Sequence, residues 1–446
     1  MLDHLMRHFR RYQEIISILV RNGFGFIIAD QPHISHKING DSDLARLGQR
    51  ISQTLGELGP TFIKIGQFAS TRPDLIPKPI IRQLEELQDN APMISFTEVK
   101  TSIEKELGSP LDTLFHQFNP FPLATASIGQ VHQAFLPNGE PIVVKIQRPN
   151  IMAVIQTDLE ILSGLITLAE QRFPFLKTYA LSEILAEFSD WLQKELNYVQ
   201  EGHNAELIRQ NFIGDSHIIV PQILWDLSSE RILSMTYIDG TKLNEREELS
   251  SLHYDRKLIA RRLSKALFQQ IIRDGLFHGD PHPGNIFVLP DEKIAFVDFG
   301  IVGHLSPELK HQFVSLLKAL TCRNTKGIIN ILLQLGLVDE TANLADLEQD
   351  LEKVRHKHFD TPLNQISLTQ LIHDFSQMGN KYRIELPKDF ILLGKVLLTL
   401  EGILHDLDPG ISIAELAKPL RYELIKEKIF ILRWIAKLKK KKKKIS

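Results

Sequence analysis

The 446-residue sequence predicts an α+β protein of two lobes, a small strand-rich lobe and a larger, mainly α lobe, behind an all-α N-terminal extension. Three observations predict it. Apolar residues recur at helical spacing before residue 110, β-prone runs begin after Pro120, and helical spacing returns from Tyr254 with one Pro/Gly-rich interruption at 278–285.

The extension, residues 1–110, rests on Leu47, Ile51, Leu55 and Leu58, spaced by three or four and punctuated by Gly59-Pro60, Pro73, Pro77 and Pro79. The small lobe, 111–240, opens with two β-prone runs, Gln130–Leu136 and Pro141–Gln147. Between them Pro137-Asn138-Gly139-Glu140 signals a turn. One long helix is expected over Leu181–Phe212, then short strands at Ile218–Val220 and Arg231–Tyr237 before the turn at Asp239-Gly240. The large lobe, 241–420, contains a hairpin over 286–297, and residues 421–446 form a basic tail.

Composition narrows the functional classes. A hydrophobic fraction of 43% and a charged fraction of 24% are those of a folded chain. Cys322 is the single cysteine, which excludes an internal disulfide and a thiolate-rich metal centre. The net charge of −2 hides segregation, since residues 421–446 alone hold 11 Lys/Arg against 2 Glu. No unbroken apolar run reaches the roughly 18–20 residues of a spanning helix. Ile15–Ile28 is interrupted by Arg21 and Asn22, and Phe390–Leu404 by Lys395 and Glu401, so both read as buried or interfacial helices. Arg21 and the lack of a cleavage site argue against an export signal, and a cytoplasmic protein is expected.

The strongest chemical signal is His278-Gly279-Asp280-Pro281-His282-Pro283-Gly284-Asn285, followed by Val297-Asp298-Phe299-Gly300. Its prolines and glycines forbid a regular helix, so Asp280 and Asn285 belong to a shaped loop. Pairing Ile286–Leu289 with Ile294–Val297 across a turn at Pro290–Lys293 would set Asn285 opposite Asp298. An amide oxygen and a carboxylate are hard ligands suited to Mg²⁺, and Asp280 is then left to orient or deprotonate a nucleophile. Lys145, in the strand pattern Ile142–Ile146, is the cation expected to hold the α/β-phosphates of ATP, with Glu201 as its helical carboxylate partner. Ahead of it, Ala124, Thr125, Ala126 and Ser127 stand where a protein kinase has a glycine-rich turn. Alanine forbids the conformations open only to glycine, which predicts a stiffer nucleotide-binding loop.

These residues, in this order, resemble the UbiB-type atypical kinase-like family from about Leu47 to Pro409. The family's N-terminal motif stands as Lys64-Ile65-Gly66-Gln67, its alanine-rich loop as Ala124–Ser127 and its strand lysine as Lys145. The resemblance implies a bilobal protein-kinase-like fold that binds ATP and Mg²⁺, with Met235 and Tyr237 joining the nucleotide-binding residues. It also implies that Lys64 and Gln67 reach the nucleotide from a helical element covering the protein-substrate position. The family's Glu-x-Asp motif reads Glu195-Leu196-Asn197 here, so the acid at its third position is lost. On one α-helix Glu195 and Glu201 would lie on different faces, which suits separate partners, Lys64 for Glu195 and Lys145 for Glu201.

His282 occupies the position two after Asp280 where protein kinases usually have lysine, and no Ala-Pro-Glu follows Asp298-Phe299-Gly300 at activation-segment distance. Ordinary protein-kinase activity is therefore not expected. The resemblance implies an ATPase or lipid-directed kinase supporting isoprenoid quinone biosynthesis, with a prenyl-lipid or quinone intermediate and quinone-biosynthesis enzymes as partners. The alternatives are a small-molecule phosphotransferase of the aminoglycoside or choline kinase type and a non-catalytic nucleotide-binding scaffold. Ile429–Leu438 with the lysine run Lys439–Lys444 predicts peripheral binding to an anionic membrane on its inner face, not nucleic-acid binding.

Overall fold

The computed structural model describes residues 2–25, 40–72, 76–85, 87, 93–321, 324–338, 343–359, 367–382, 384 and 387–411. Cys322 and the basic tail, with the membrane expectation attached to it, lie outside the described residues. The chain divides into two compact units, one made of Met1–Glu206, Pro221–Ile238 and Asp298–Ile301, the other of Leu207–Val220, Asp239–Val297 and Val302–Ser446.

The first unit begins with helices α1 (Leu2–Arg21), α2 (Asp41–Leu58), α3 (Pro60–Ser70), α4 (Lys78–Glu85), α5 (Phe96–Leu107) and the single turn α6 (Leu111–Leu114). Ser95 and Glu98 close a reciprocal capping box at the start of α5, and Gly108, at φ 70°, ends it. Strands β1 (Gln117–Phe118), β2 (Ala124–Thr125), β3 (Gly129–Phe135) and β4 (Pro141–Gln147) follow, then α7 (Ile151–Arg172), α8 (Leu181–Glu195) and α9 (Tyr198–Asn211). With β6 (Ile232–Thr236) the strands form an antiparallel sheet ordered β1-β3-β4-β6, β2 pairing with β3. Alternation along β4 sends Ile142, Val144 and Ile146 into a core with Val99 and Ile103 of α5 and leaves Lys145 for the opposite face.

The expected single helix over Leu181–Phe212 is two helices, because Leu196 and Asn197 interrupt it. The Asn197 side chain accepts a hydrogen bond from the Gln200 amide at 3.1 Å, so the asparagine starts α9 instead of continuing α8. No unbroken apolar run marks α7, because Asp158 and Glu160 interrupt it. By length and composition α7 is nevertheless apolar enough to cross a membrane. Its Asp158 is wholly buried and is held by the Arg11 guanidinium of α1 at 2.7 and 3.1 Å.

In the second unit β5 (Ile218–Ile219) runs parallel to β10 (Lys293–Phe296), and β9 (Ile286–Leu289) and β7 (Thr241–Lys242) complete a sheet ordered β5-β10-β9-β7. A second small sheet pairs β8 (Leu276–His278) with β11 (Val302–His304). The remaining elements are helices: α10 (Arg246–Ser251), α11 (Arg256–Phe268), α12 (Pro307–Thr321), α13 (Thr325–Gln334), α14 (Leu344–Phe359), α15 (Leu368–Tyr382) and α16 (Lys388–Leu407). Leu393 and Val396 of α16 pack with Phe268, Ile271, Phe277 and Phe313 around the strand that leads to the 278–285 loop. The expected α+β, bilobal protein-kinase-like class holds.

The β9–β10 hairpin corrects the expected register by one residue. Its connection is Pro290–Glu292, with Asp291 and Glu292 both at positive φ (62° and 50°), so Lys293 is the first residue of the returning strand and pairs with Leu289. The Val297 amide therefore meets the Asn285 carbonyl at 3.0 Å, and Asn285 is not opposite Asp298.

Candidate active site

In the first unit Lys145 is positioned by the centre of the sheet, paired with Val131 on one side and Leu233 on the other. Its ammonium donates to both carboxylate oxygens of Glu201, at 2.9 and 2.8 Å, and lies 3.6 Å from Asp298 Oδ2 and 5.0 Å from the centre of the Tyr198 ring. Burial alone would lower the Lys145 pKa, but the carboxylates of Asp298 and Glu201 outweigh it and hold the pKa well above the ordinary lysine value. Glu201 is pushed up to about 7, since burial exceeds the pull of Lys145 and Asp298 adds a like charge. Two acids thus share one cation.

Asp298 adopts φ 61°, in the left-handed region that Asp tolerates better than most residues, and its Oδ1 accepts from the Gly300 amide at 3.3 Å. Asn204 of α9 donates to the Phe299 carbonyl at 3.0 Å, tying the Asp-Phe-Gly turn to the helix that carries Glu201. A Cβ built on Gly300 would lie 3.9 Å from Glu195 Oε2 and 4.0 Å from Glu201 Oε2, so this glycine lies close to both glutamates. Lys64, in α3, pairs with Glu195 at 2.5 Å. The two lysine–glutamate pairs expected from sequence are therefore both formed, although their glutamates come from different helices.

The motif glycine, Gly66, is buried, and a Cβ on it would meet Leu87 Cδ1 at 2.3 Å and Leu55 Cδ1 at 3.0 Å. Gln67 is half-buried, and its backbone carbonyl accepts from Ser70 at 2.7 Å.

The Ala/Ser-rich segment is pinned at its tip. The Ala126 amide donates to the Gly129 carbonyl at 2.8 Å, and the Arg148 guanidinium donates twice to the Ala126 carbonyl, at 3.2 and 3.0 Å. Ala124 is exposed and Thr125 and Ala126 are half-buried, whereas Ser127 is wholly buried. The Ser127 hydroxyl has no hydrogen-bond partner among the described residues. Met235 pairs with Val143 and is likewise buried, while the Tyr237 amide donates to the Pro141 carbonyl at 3.2 Å.

In the second unit the 278–285 loop is organised by residues to which the sequence reading gave no role. The buried His278 ring accepts from the Asp280 amide through Nδ1 at 3.1 Å, which leaves Nε2 to donate to the Val297 carbonyl at 3.0 Å. Gln270, in a π-helical turn after α11, accepts from the His278 amide at 2.8 Å. The Asp280 carbonyl takes the His282 amide at 2.7 Å and Asn285 Nδ2 at 3.1 Å. His282 Nδ1 accepts from the Gly284 amide at 3.2 Å. Beside them Lys395 of α16 donates to Asp280 Oδ1 at 2.9 Å. His278 carried a visible signal in its motif and Lys395 one as a charge in an apolar run, but Gln270 carried none.

Taken one by one, the two candidate ligands have the donor chemistry of hard-cation ligands. With its amide nitrogen committed to the Asp280 carbonyl, Asn285 has its oxygen left to accept, and Asp298 offers a half-exposed carboxylate. Among the described residues no group of three His, Cys, Asp or Glu could hold a metal by itself. Mg²⁺ in phosphoryl-transfer sites needs no such cage, since phosphates and water complete its shell.

Residues 86–332 match the ABC1 atypical kinase-like domain and residues 351–412 the UbiB helical domain. The chain is 33% identical to the uncharacterized protein sll1770 of Synechocystis sp., over 85% of this chain and 65% of that one. It is 32% identical to an uncharacterized protein of the hydrogenase 1 5′ region of Clostridium pasteurianum, over 92% of this chain and 75% of that one. The chain thus spans about two thirds to three quarters of the length of these relatives. The solved Rv3197–erythromycin complex from Mycobacterium tuberculosis shares the fold, with a TM-score of 0.57 at 23% identity, covering 85% of this chain and 97% of that chain.

Proposed function

Because the chain belongs to the ABC1 atypical kinase-like family and carries its UbiB helical domain, we propose that it binds MgATP and hydrolyses it or transfers its γ-phosphoryl group to a lipid-like acceptor. The observation that carries this reading is the Lys145–Glu201 pair, bidentate and buried, with Asp298 3.6 Å from the same ammonium. A lysine fixed by a helical glutamate next to an Asp-Phe-Gly carboxylate is the phosphate clamp of kinase-type chemistry.

Each residue has a distinct task. Lys145 binds the α/β-phosphates, and Glu201 prevents its ammonium from swinging away. Asp298 and Asn285 hold the metal. Asp280 takes the proton from the attacking water or acceptor hydroxyl. Bound MgATP supplies the γ-phosphoryl group, whose bond to the β–γ bridging oxygen breaks as the bond to the acceptor oxygen forms, ADP leaving with the electron pair.

The setting is an anionic membrane surface, a reading supported by the lysine run at 439–444 and its apolar, tryptophan-containing approach. A part in isoprenoid quinone biosynthesis, with the protein peripheral on the inner membrane face, rests on the family resemblance.

Calorimetry with MgATP tests the core of the proposal. Asp298→Asn should abolish Mg-dependent nucleotide binding, and unchanged affinity would refute the metal assignment. The membrane setting is checked by removing Lys437–Ser446, which should weaken co-sedimentation with anionic liposomes at low salt. Quinone intermediates should accumulate in a deletion strain if the biosynthetic role is right.

A further inference from the structure

We infer that Lys395 is a working part of the phosphoryl site: it fixes the Asp280 carboxylate and presents a positive charge to the transferred phosphoryl group. The inference rests on the reading of Asp280 as the proton-accepting residue. It deepens that reading by naming a residue from the helical domain.

Protein kinases usually carry this charge on a lysine two residues after the aspartate, and here that position is His282. The His282 ring is occupied otherwise, its Nδ1 accepting from the Gly284 amide at 3.2 Å. Among the described residues Lys395 is the only cation within ion-pair distance of Asp280, at 2.9 Å from Oδ1. Oδ1 is thereby engaged, and Oδ2 is left to accept a proton.

The sequence around Lys395 supports a chemical role over a packing one. It interrupts the apolar stretch Phe390–Leu404, between Leu393 and Val396, which are 1% and 0% exposed. The pair is itself partly solvated, with side-chain exposures of 27% and 36%, and such a pair stabilises a fold by only about 0–1 kcal/mol. A lysine so near an apolar core, with so little to give to stability, is explained by the carboxylate it holds. Lys395 also lies in the stretch matched by the UbiB helical domain, beyond the 86–332 kinase-like match. The inference thus gives that domain a residue in contact with Asp280.

The test uses the full chain, comparing wild type with Lys395→Met and Lys395→Arg. Methionine matches lysine in helix propensity, so Lys395→Met should leave the thermal midpoint nearly unchanged. Calorimetry should show MgATP affinity falling by roughly tenfold relative to MgADP, because only ATP brings the γ-phosphate. Turnover should fall roughly 10- to 100-fold in kcat, with Lys395→Arg recovering most of both losses. Equal weakening of ATP and ADP, or an unchanged ATP/ADP ratio, would overturn the inference while leaving nucleotide binding standing. A rise in kcat for Lys395→Met would overturn it too, by showing that the contact restrains the aspartate. A wild-type chain that binds neither nucleotide would sink the functional reading, and this inference with it.

Discussion

Glu201 holds the Lys145 ammonium with both carboxylate oxygens, at 2.9 and 2.8 Å, from a position only 3% exposed. The pair is not balanced, since Asp298 lies 3.6 Å from the same ammonium. With its own burial and the nearby charge of the half-exposed Asp298 both opposing ionisation, Glu201 is the acid driven toward its neutral form.

A pH dependence of stability follows. Glu201 has its ordinary value of 4.5 in the unfolded chain and about 7 in the folded one. Between those values the native state keeps a proton that the unfolded chain has released. The contribution is therefore complete below about pH 4.5 and is lost as the pH climbs through 7, on the order of 3 kcal/mol in all. Urea unfolding of wild type and Glu201→Gln between about pH 5 and about pH 8 should show wild type losing stability relative to the variant. A gap independent of pH would contradict the assignment.

The second pair should behave as a coupled unit. Lys64 and Glu195 are 8% and 15% exposed, and their 2.5 Å contact leaves little room for water to replace either partner. Lys64→Met strands the carboxylate and should destabilise by about 3 kcal/mol, whereas Lys64→Met with Glu195→Gln should recover at least half of it. Additive single effects in chemical denaturation would mean that the residues do not depend on each other.

How far these groups were legible varies with the physics that places them. The period-2 pattern of Ile142–Ile146 announces both the strand and the lysine on its free face, because alternation is local. The prolines and glycines of 278–285 announce the loop for the same reason. Partner choice is tertiary, and Lys395, 115 residues from Asp280, could be noticed as an anomaly but not assigned. The hairpin register failed on two non-glycine residues at positive φ, Asp291 and Glu292, which shortened the turn by one residue. The pairing of β5 with β10 joins segments more than 70 residues apart, and no periodicity in Ile218–Ile219 could foretell it.

Asn197 stands where the resemblance leads one to expect an acid, and its side-chain oxygen accepts from the Gln200 amide at 3.1 Å. Asparagine and aspartate are equally good N-caps, so Asn197→Asp should alter stability by no more than a few tenths of a kcal/mol, and Asn197→Ala should lower it by about 1 kcal/mol. Thermal melts of the two variants would separate them. A neutral alanine substitution would show that the start of α9 is fixed by other contacts.

Gly129 is the position at which the Ala/Ser-rich loop and the sheet make irreconcilable demands on any larger residue. A Cβ there would stand 2.6 Å from the Ile146 carbonyl oxygen and 2.7 Å from the Tyr198 hydroxyl. The tyrosine can yield, but the carbonyl belongs to β4, whose neighbouring Gln147 is paired with Gly129 in the sheet. Gly129→Ala should therefore cost about 1–3 kcal/mol, and adding Tyr198→Phe should recover only part of that. Because the Gly129 carbonyl also receives the Ala126 amide at 2.8 Å, the displaced strand end should carry the loop with it. If that loop holds nucleotide as proposed, MgATP affinity should fall with it. A Gly129→Ala chain with wild-type melting and wild-type affinity would show that the loop does not depend on this close approach.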